Sequence, residues 1–294
     1  MKMIKRFVSV LIVATLVVSL FAVSASAADG GFEIKEAVIV KSENASITDT
    51  YAVNRLKYYL DEITCGDIEI VSGETDSEYK IRVGTSSDSS SADGSYTIIS
   101  TPNELVISGA GNKGAINGVY AFLEKFCGCR WYESEVIKIP ENSVLTVPAG
   151  IDIEYTPFFE YTETDTMSAG DAEFSIANGL TGGIYKNLSD EQGGAVEYIG
   201  ASSHTLVNQY CKPSVYFEEH PEYFALVNGQ RTGSQLCLTN EDVKNIVTDE
   251  AFKLLEENHN PEASLQILSI TQADNEFYCE CENCKALDRI NGSH

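Results

Sequence analysis

The segment LQILSITQAD occupies residues 265–274 and combines an apolar run with a carboxylate at its end. Leu265 to Thr271 has the length and composition of a buried strand, and Asp274 lies just beyond it. The preceding segment, Glu241 to Asn258, places its apolar residues on or near one face of a helix. A helix followed by a buried strand is typical of parallel β/α units, whose catalytic residues lie after the strands.

Three further strand candidates precede this unit, at Phe158 to Thr162, Val196 to Ala201 and Leu236 to Leu238. A short helix is expected at Ala172 to Asn178. The alternation predicts the first half of a parallel (β/α)8 barrel of the TIM type. A complete barrel needs eight strands, so we expect the printed chain to be a fragment that contains a partial barrel.

A smaller α/β domain is predicted before the barrel. We expect this domain over residues 28–150 and the partial barrel over 151–294. Three of the seven prolines, Pro140, Pro148 and Pro157, mark the connection between them. The prediction for the whole chain is therefore an α/β protein with two domains.

Helix and strand signals alternate in the first domain. One helix is expected from a cap at Thr48 or Asp49 to Gly66, and a second from Gly114 to Phe126. The expected strands are 37–40, 68–71, 79–83, 96–100 and 105–108.

The amino terminus has the pattern of a secretory signal peptide, residues 1–27. Lys2, Lys5 and Arg6 precede an apolar run from Phe7 to Val23, and Ala25-Ser26-Ala27 is a small-x-small cleavage site. A membrane anchor is the alternative, but the small residues stand where cleavage requires them. We therefore expect a secreted, extracellular protein, cleaved after Ala27, with no membrane span in the mature chain.

The charge of the chain restricts its partners. There are 20 basic and 44 acidic residues, and the formal net charge is −24. A surface of this sign repels phosphate backbones and anionic lipids, which argues against nucleic acid or membrane surfaces as partners.

The segment GAGNKG, residues 109–114, matches the glycine pattern of a dinucleotide-binding loop. It follows a predicted strand and opens a predicted helix. Glu133 and Glu135 lie near the distance at which that motif places an acidic residue, but they do not end a clear second strand. We therefore interpret the glycines as a tight turn that allows the helix to pack closely on its sheet.

Six stretches together resemble the secreted bacterial family called domain of unknown function 4838. They are GAINGVYAFLE (114–124), GCRWY (128–132), SHT (203–205), HPEYFAL (220–226), QLCLTN (235–240) and QADNEFYCEC (272–281). That family is similar to the family 67 α-glucuronidases and, more distantly, to β-hexosaminidases. The resemblance implies a small N-terminal α/β domain, the first half of a catalytic barrel and a glycoside hydrolase activity on carbohydrate.

Glycoside hydrolysis needs a carboxylic acid that protonates the leaving oxygen and a second group opposite it. Asp274 is our first candidate for the acid or for a carboxylate that orients the substrate, and Glu276 is the alternative acid. Hexosaminidase-like barrels carry an adjacent Asp-Glu pair, whereas Asn275 intervenes here. Asp274 as a simple loop cap is the competing interpretation. The second carboxylate is expected on a later strand, so the chain alone is expected to lack activity.

Five further residues are candidates for contact with sugar: His204, Asn240, Asn275, Arg130 and Trp131. A histidine after a strand can bind a hydroxyl or a carboxylate, or it can simply hydrogen-bond within its loop. Asn240 can equally be the N-cap of the following helix. Trp131 is the only tryptophan, and its ring can stack on a sugar or pack between domains.

The cysteines offer a metal site or disulfides. Cys279, Cys281 and Cys284 are closely spaced, and Cys237 ends the preceding predicted strand. Four thiolates can hold a structural zinc ion tetrahedrally, whereas in an oxidising compartment the same residues can form disulfides. Either arrangement would hold the loop after Asp274, and the hydrolysis itself requires no cofactor.

The sequence leaves two functions open. The first is a secreted glycoside hydrolase that cleaves poly- or oligosaccharides by carboxylate acid/base catalysis, with α-glucuronidase-like activity as the most specific prediction. The second is a non-catalytic carbohydrate-binding or cell-surface protein that keeps the fold without the chemistry.

Overall fold

The computed structural model of the protein describes residues 30–85, 91–182, 188–261 and 265–292. The predicted signal peptide lies outside the described residues. The chain forms two compact units. The first comprises the residues up to Tyr132 together with Val136–Phe158, and the second comprises Glu133–Glu135 and the residues from Phe159 onward.

The strands before residue 158 include a mixed sheet of six. They are β1 (Gly31–Glu33), β2 (Ala37–Lys41), β3 (Ile70–Ser72), β4 (Tyr79–Thr85), β5 (Tyr96–Ser100), β6 (Glu104–Gly109), β7 (Arg130–Glu133), β8 (Val136–Lys138), β9 (Thr146–Pro148) and β10 (Asp152–Tyr155). The sheet order is β10-β5-β6-β4-β2-β3, and β1 pairs with β9 and β7 with β8. Strands β3, β2, β4 and β6 run parallel to one another. Strand β5 runs antiparallel to β6, and β10 runs antiparallel to β5. The first unit therefore continues past residue 150, since β10 belongs to its sheet.

Two helices, α1 (Ile47–Thr64) and α2 (Gly114–Lys125), pack on this sheet and against each other. The N-cap of α1 is Ser46 rather than the predicted Thr48 or Asp49. The Ser46 hydroxyl accepts the backbone N–H of Asp49 at 3.0 Å, and the Asp49 carboxylate accepts the N–H of Ser46 at 3.4 Å. Asp49 thus serves as the third residue of a capping box, which explains why the helix begins earlier than its apolar pattern suggested.

The glycines of GAGNKG form the tight turn that the sequence predicted. A Cβ atom on Gly109 would lie 1.9 Å from the backbone nitrogen of Ala115, and one on Gly114 would lie 2.4 Å from the carbonyl oxygen of Ser95. The turn therefore brings α2 against the end of β6 at a distance that only glycine permits. Helix α2 then leads to β7, which lies outside the six-stranded sheet, so the described residues contain no dinucleotide-type βαβ unit here.

Trp131 lies in the core of the first unit. Its indole nitrogen donates to the Tyr59 hydroxyl at 2.7 Å, and its ring meets those of Tyr59 and Tyr120 at centroid distances of 5.3 and 5.2 Å. Only 6% of Trp131 is exposed. Its fluorescence is therefore a reporter of this unit alone.

The second unit contains short elements around its own core. The strands are β11 (Glu197–Ile199), β12 (Phe224–Val227), β13 (Gln230–Leu236) and β14 (Gln266–Leu268), and the helices are α3 (Ala172–Ala177), α4 (Pro213–Tyr216), α5 (Glu241–Asn258) and α6 (Glu282–Asn291). A π-helical turn, Leu206–Tyr210, packs with Phe224, Leu236 and Val243 in the core. In the described part of the chain, no helix combines the length and apolar character needed to cross a bilayer.

The four parallel barrel strands predicted for this unit are only partly present. Strands β11 and β14 pair in parallel, whereas residues 158–162 form no strand. Of the predicted strand 236–238, only Leu236 is in a strand, as the last residue of β13, which pairs antiparallel with β12. The cause is the Asn228-Gly229 turn, whose φ angles of 49° and 77° suit a two-residue hairpin. The described residues therefore do not establish a half barrel.

Replacing Gly109 should destabilise the first unit specifically. We expect Gly109→Ala to lower its free energy of unfolding by at least about 2 kcal/mol, because the new methyl group would overlap the backbone of α2. The measurement is urea unfolding followed by Trp131 fluorescence. Gly84→Ala in β4 is the matched control, since a Cβ there meets nothing within 4 Å, and its effect should stay within about 1 kcal/mol. Equal effects of the two substitutions would contradict the tight-turn interpretation.

Candidate functional site

The parallel strands β11 and β14 bring two of the candidate residues to one edge. Glu197 pairs with Gln266, and Ile199 pairs with Leu268. Because the strands run in the same direction, the segments that follow them leave at the same edge. One segment leads to His204 and the other to Asp274.

A hydrogen bond joins these two segments. Nδ1 of His204 accepts the backbone N–H of Asp274 at 3.0 Å. The same nitrogen lies 3.4 Å from the carbonyl oxygen of Gln272, and the shorter contact identifies it as an acceptor. His204 has a φ of 55°, which is uncommon for a residue with a side chain. A strained backbone held in place by its surroundings is frequent at functional sites.

Buried hydroxyl groups anchor the backbone of the segment after β14. Oγ1 of Thr205 donates to the carbonyl oxygen of Ser269 at 3.0 Å and accepts the N–H of Thr271 at 2.9 Å. The Tyr210 hydroxyl donates to the same Ser269 carbonyl at 2.7 Å. Burial raises the pKa of Tyr210, so this hydroxyl keeps its proton. The backbone leading to Asp274 is thus fixed to the π-helical turn.

Gln235, which the sequence analysis did not select, holds the same loop from the hairpin. Its side chain is buried. Nε2 donates to the carbonyl oxygen of Ala273 at 2.6 Å, and Oε1 accepts the N–H of Ala273 at 3.2 Å. The signal that could have identified it is a lone amide at the start of an otherwise apolar stretch, Gln235-Leu236-Cys237-Leu238.

Asn275 supports the loop rather than facing solvent with a free amide. Its Oδ1 accepts from Nε2 of Gln235 at 3.2 Å and from the N–H of Phe277 at 3.0 Å. Its Nδ2 donates to the carbonyl oxygen of Ser234 at 3.3 Å. The neighbouring carboxylates of Asp274 and Glu276 are both exposed. The loop therefore presents one carboxylate on each side of the anchored Asn275 amide.

The other sugar-contact candidates make structural contacts within their own elements. Asn240 is the N-cap of α5, where its Oδ1 accepts the N–H groups of Asp242 and Val243 at 2.9 and 3.2 Å. Arg130 belongs to the first unit and donates to the carbonyl oxygens of Glu124 and Cys129. Trp131 belongs to the core of that unit, as described above.

The four cysteines selected from the sequence lie together. The sulfur atoms of Cys237, Cys279, Cys281 and Cys284 are all within 4.8 Å of one another, and three of the residues are buried. All four are free thiols rather than disulfides. The cluster lies where the end of β13 meets the start of α6. Four thiols at these distances can hold a metal ion.

The thiols of this cluster have divergent pKa values. Burial raises the pKa of Cys284 to about 12, and burial also raises that of Cys279. Burial acts in the same direction on Cys281, but hydrogen bonds from the backbone of Cys284 and from the neighbouring thiols outweigh it and lower the pKa to about 6. Cys281 is the N-cap of α6 and its sulfur accepts the N–H of Cys284, which stabilises a thiolate.

A pocket of about 140 Å³ lies beside the cysteine cluster. Gln272 and Tyr278 of the Asp274 loop form part of its wall. Leu238, which lies after β13, and Leu287 of α6 line it as well. The loop that carries the two candidate acids therefore also borders a concave surface with an aromatic ring.

Comparisons with solved structures find glycoside hydrolases with low similarity. A β-hexosaminidase from Streptomyces plicatus is 15% identical, with a TM-score of 0.33 over 45% of this chain and 24% of its own. A β-N-acetylhexosaminidase from Bacteroides fragilis is 17% identical, with a TM-score of 0.31 over 46% and 24%. A family GH115 4-O-methyl-α-glucuronidase with specificity for decorated arabinogalactans is 12% identical, with a TM-score of 0.47 over 81% and 42%. The chain thus spans about a quarter of the length of the hexosaminidases that it matches.

No curated protein matches the chain significantly. Residues 131–294, which are more than half of the chain, match the family described as a domain of unknown function, DUF4838. This range contains the parallel pair, the hairpin, the cysteine cluster and the loop with Asp274. The chain belongs to the DUF4838 family.

Proposed function

We propose that the protein is a secreted glycoside hydrolase in which Asp274 is the acidic catalytic group. The observation that carries the proposal is the hydrogen bond from the backbone of Asp274 to His204, at the carboxyl ends of two adjacent parallel strands. Enzymes built from parallel β/α units have their catalytic residues at this end of the strands. In the proposal, β11 and β14 are neighbouring strands in the first half of a barrel.

The chemistry requires an acid beside the leaving oxygen of the substrate. The Asp274 carboxylate extends from an anchored backbone and is exposed, so a sugar can approach it. Glu276 is the alternative acid on the same loop. Asn275 between them is held by Gln235 and Ser234, and this anchoring limits the motion of both carboxylates. Such positioning is what proton transfer to a glycosidic oxygen needs.

His204 adds a directed hydrogen-bond donor in this proposal. Because its Nδ1 accepts the N–H of Asp274, the proton of the neutral ring lies on Nε2. A sugar hydroxyl or a uronic acid carboxylate is a suitable acceptor for this N–H. Together with the family resemblance seen in the sequence, this favours α-glucuronides as the first substrate class. The pattern at Ala25-Ser26-Ala27 supports export as the route to such substrates.

Removing the carboxylate of Asp274 tests the proposal directly. We expect Asp274→Asn to lower kcat at least about 100-fold, because the amide cannot protonate the leaving oxygen. The measurement is made on a version of the protein that carries the second carboxylate expected on a later strand. It uses nitrophenyl glycosides of glucuronic acid and N-acetylglucosamine, followed by uronic acid oligosaccharides. Asp249→Asn, an exposed position on α5, is the matched control and should keep full activity. Equal activity of the two variants would remove Asp274 from the mechanism, and Glu276→Gln would then test the alternative acid.

Binding without turnover would support the other function that the sequence leaves open. If the version that carries the second carboxylate binds these oligosaccharides in calorimetry but hydrolyses none of the panel, the protein is a carbohydrate-binding protein and the hydrolase proposal is wrong. The same Asp274→Asn variant then reports whether the loop contacts the ligand.

Gln235 should act by positioning the loop. We expect Gln235→Glu to speed amide hydrogen exchange in residues 272–278 about 10- to 100-fold, because the new carboxylate cannot donate to the Ala273 carbonyl and would be buried. The measurement is hydrogen exchange followed by mass spectrometry. Gln230→Glu makes the same substitution at an exposed position of β13 and should leave this exchange unchanged. Unchanged exchange in Gln235→Glu would show that the other contacts are sufficient to hold the loop.

A further inference from the structure

The sulfur atoms of the cysteine cluster are spaced as the ligands of one tetrahedral ion would be. The Cys237 sulfur lies 3.7 Å from that of Cys281 and 3.9 Å from that of Cys284. With zinc–sulfur bonds of about 2.3 Å, the edge of a tetrahedron of sulfurs is about 3.8 Å. The residues come from two separate parts of the chain, the end of β13 and the segment that opens α6.

Hydrogen-bond donors surround these sulfurs. The backbone N–H of Leu226 points at the Cys279 sulfur at 3.3 Å, and that of Cys284 points at the Cys281 sulfur at 3.5 Å. The Thr239 hydroxyl lies 3.2 Å from the Cys284 sulfur. The Arg231 guanidinium lies 3.8 Å from that of Cys279. Donors of this kind stabilise the negative charge that four thiolates leave on a divalent ion.

Apolar side chains cover part of the cluster. Ala225 is fully buried and packs with Cys237, Cys279 and Cys284, and the side chains of Leu226 and Val227 cover them further. Four thiolate ligands leave no open position for a substrate. A metal here would therefore be structural.

We infer that Cys237, Cys279, Cys281 and Cys284 bind one zinc ion, which fastens the segment 279–284 and helix α6 to the hairpin β12–β13. Each thiol that is protonated beforehand releases its proton to solvent when its sulfur binds the ion. The zinc fixes one end of the loop that begins at Asp274, and Thr205 and Gln235 fix the other. The inference is independent of the proposed hydrolase, because it concerns metal content and loop order, which are measured without a substrate.

Two disulfides among the same four cysteines are the competing arrangement. They would consume the thiols and bind no metal, and they would lower the mass of the chain by the hydrogens lost. The Cys237 sulfur lies at the edge length of a tetrahedron from those of Cys281 and Cys284, rather than at bonding distance. Metal analysis together with the intact mass therefore separates the two arrangements.

The first experiment measures the metal content of the purified full chain. We expect one zinc per chain by plasma mass spectrometry and the intact mass of the reduced chain. Cobalt substitution should give the visible absorption of a tetrahedral tetrathiolate site. Cys237→Ser should lose stoichiometric zinc, whereas Cys65→Ser at an exposed position and Cys211→Ser at a buried position outside the cluster should keep it. Absence of zinc with disulfides present, iron in place of zinc, or full zinc retention in Cys237→Ser would each overturn the inference.

A second variant avoids the risk that loss of a ligand unfolds the chain. Thr239→Val keeps the shape of the side chain but removes the hydroxyl beside the Cys284 sulfur. We expect its zinc affinity to fall about 10- to 100-fold in competition with a chelator, with the helix content unchanged. In the wild-type chain, removal of zinc should also speed hydrogen exchange in residues 276–284 and leave the sheet of the first unit unaffected. Unchanged affinity in Thr239→Val together with unchanged exchange after zinc removal would contradict the arrangement.

Discussion

The parallel pairing of β11 with β14 is the constraint on which the candidate site depends. Each strand contributes only three residues, yet the register of Glu197 with Gln266 sends both following segments to the same edge. A shift of one residue would turn every side chain of the shifted strand to the opposite face. It would also move the N–H of Asp274 away from His204. The chemistry proposed for this edge therefore rests on a short ladder that neighbouring contacts must reinforce.

The reinforcement comes from polar groups that are buried beneath the loop. Thr205, Tyr210 and Gln235 all bind backbone atoms between Ser269 and Ala273. Each of these three side chains hydrogen-bonds to the backbone of a segment without regular structure. If that segment were disordered, the buried polar groups would have no partners. Because an unpaired buried polar group costs about 1–3 kcal/mol, the loop and its supports order each other. The exposed carboxylates of the loop are thus supported by buried polar side chains.

Local patterns in the sequence predicted the elements whose causes are local. The helix Glu241–Asn258 was predicted with its observed bounds, since its apolar period and its Asn240 cap lie within one segment. The close turn at Gly109 was predicted because only glycine suits it. The hairpin at Asn228-Gly229 was missed, although the dipeptide is a strong turn signal, because the strand at Leu236 was interpreted within a barrel pattern. Gln235 was missed because its partner, Ala273, is distant in sequence and contributes only backbone atoms.

The loop that carries Asp274 needs a strong interaction at its far end, because much of its apolar surface is exposed. Ile270, Phe277 and Tyr278 are 56%, 52% and 40% exposed, so burial of apolar surface contributes little to ordering this segment. Ordering each backbone residue costs about 1–2 kcal/mol, and a typical hydrogen bond returns about 1 kcal/mol. The hydrogen bonds of Thr205 and Gln235 act only up to Asn275. Beyond that residue the chain runs to Cys279, where the inferred metal, bound by four thiolates, would supply free energy on the order of 10 kcal/mol. A loop with so little buried apolar surface requires such an interaction, and the cysteines lie directly after its exposed stretch.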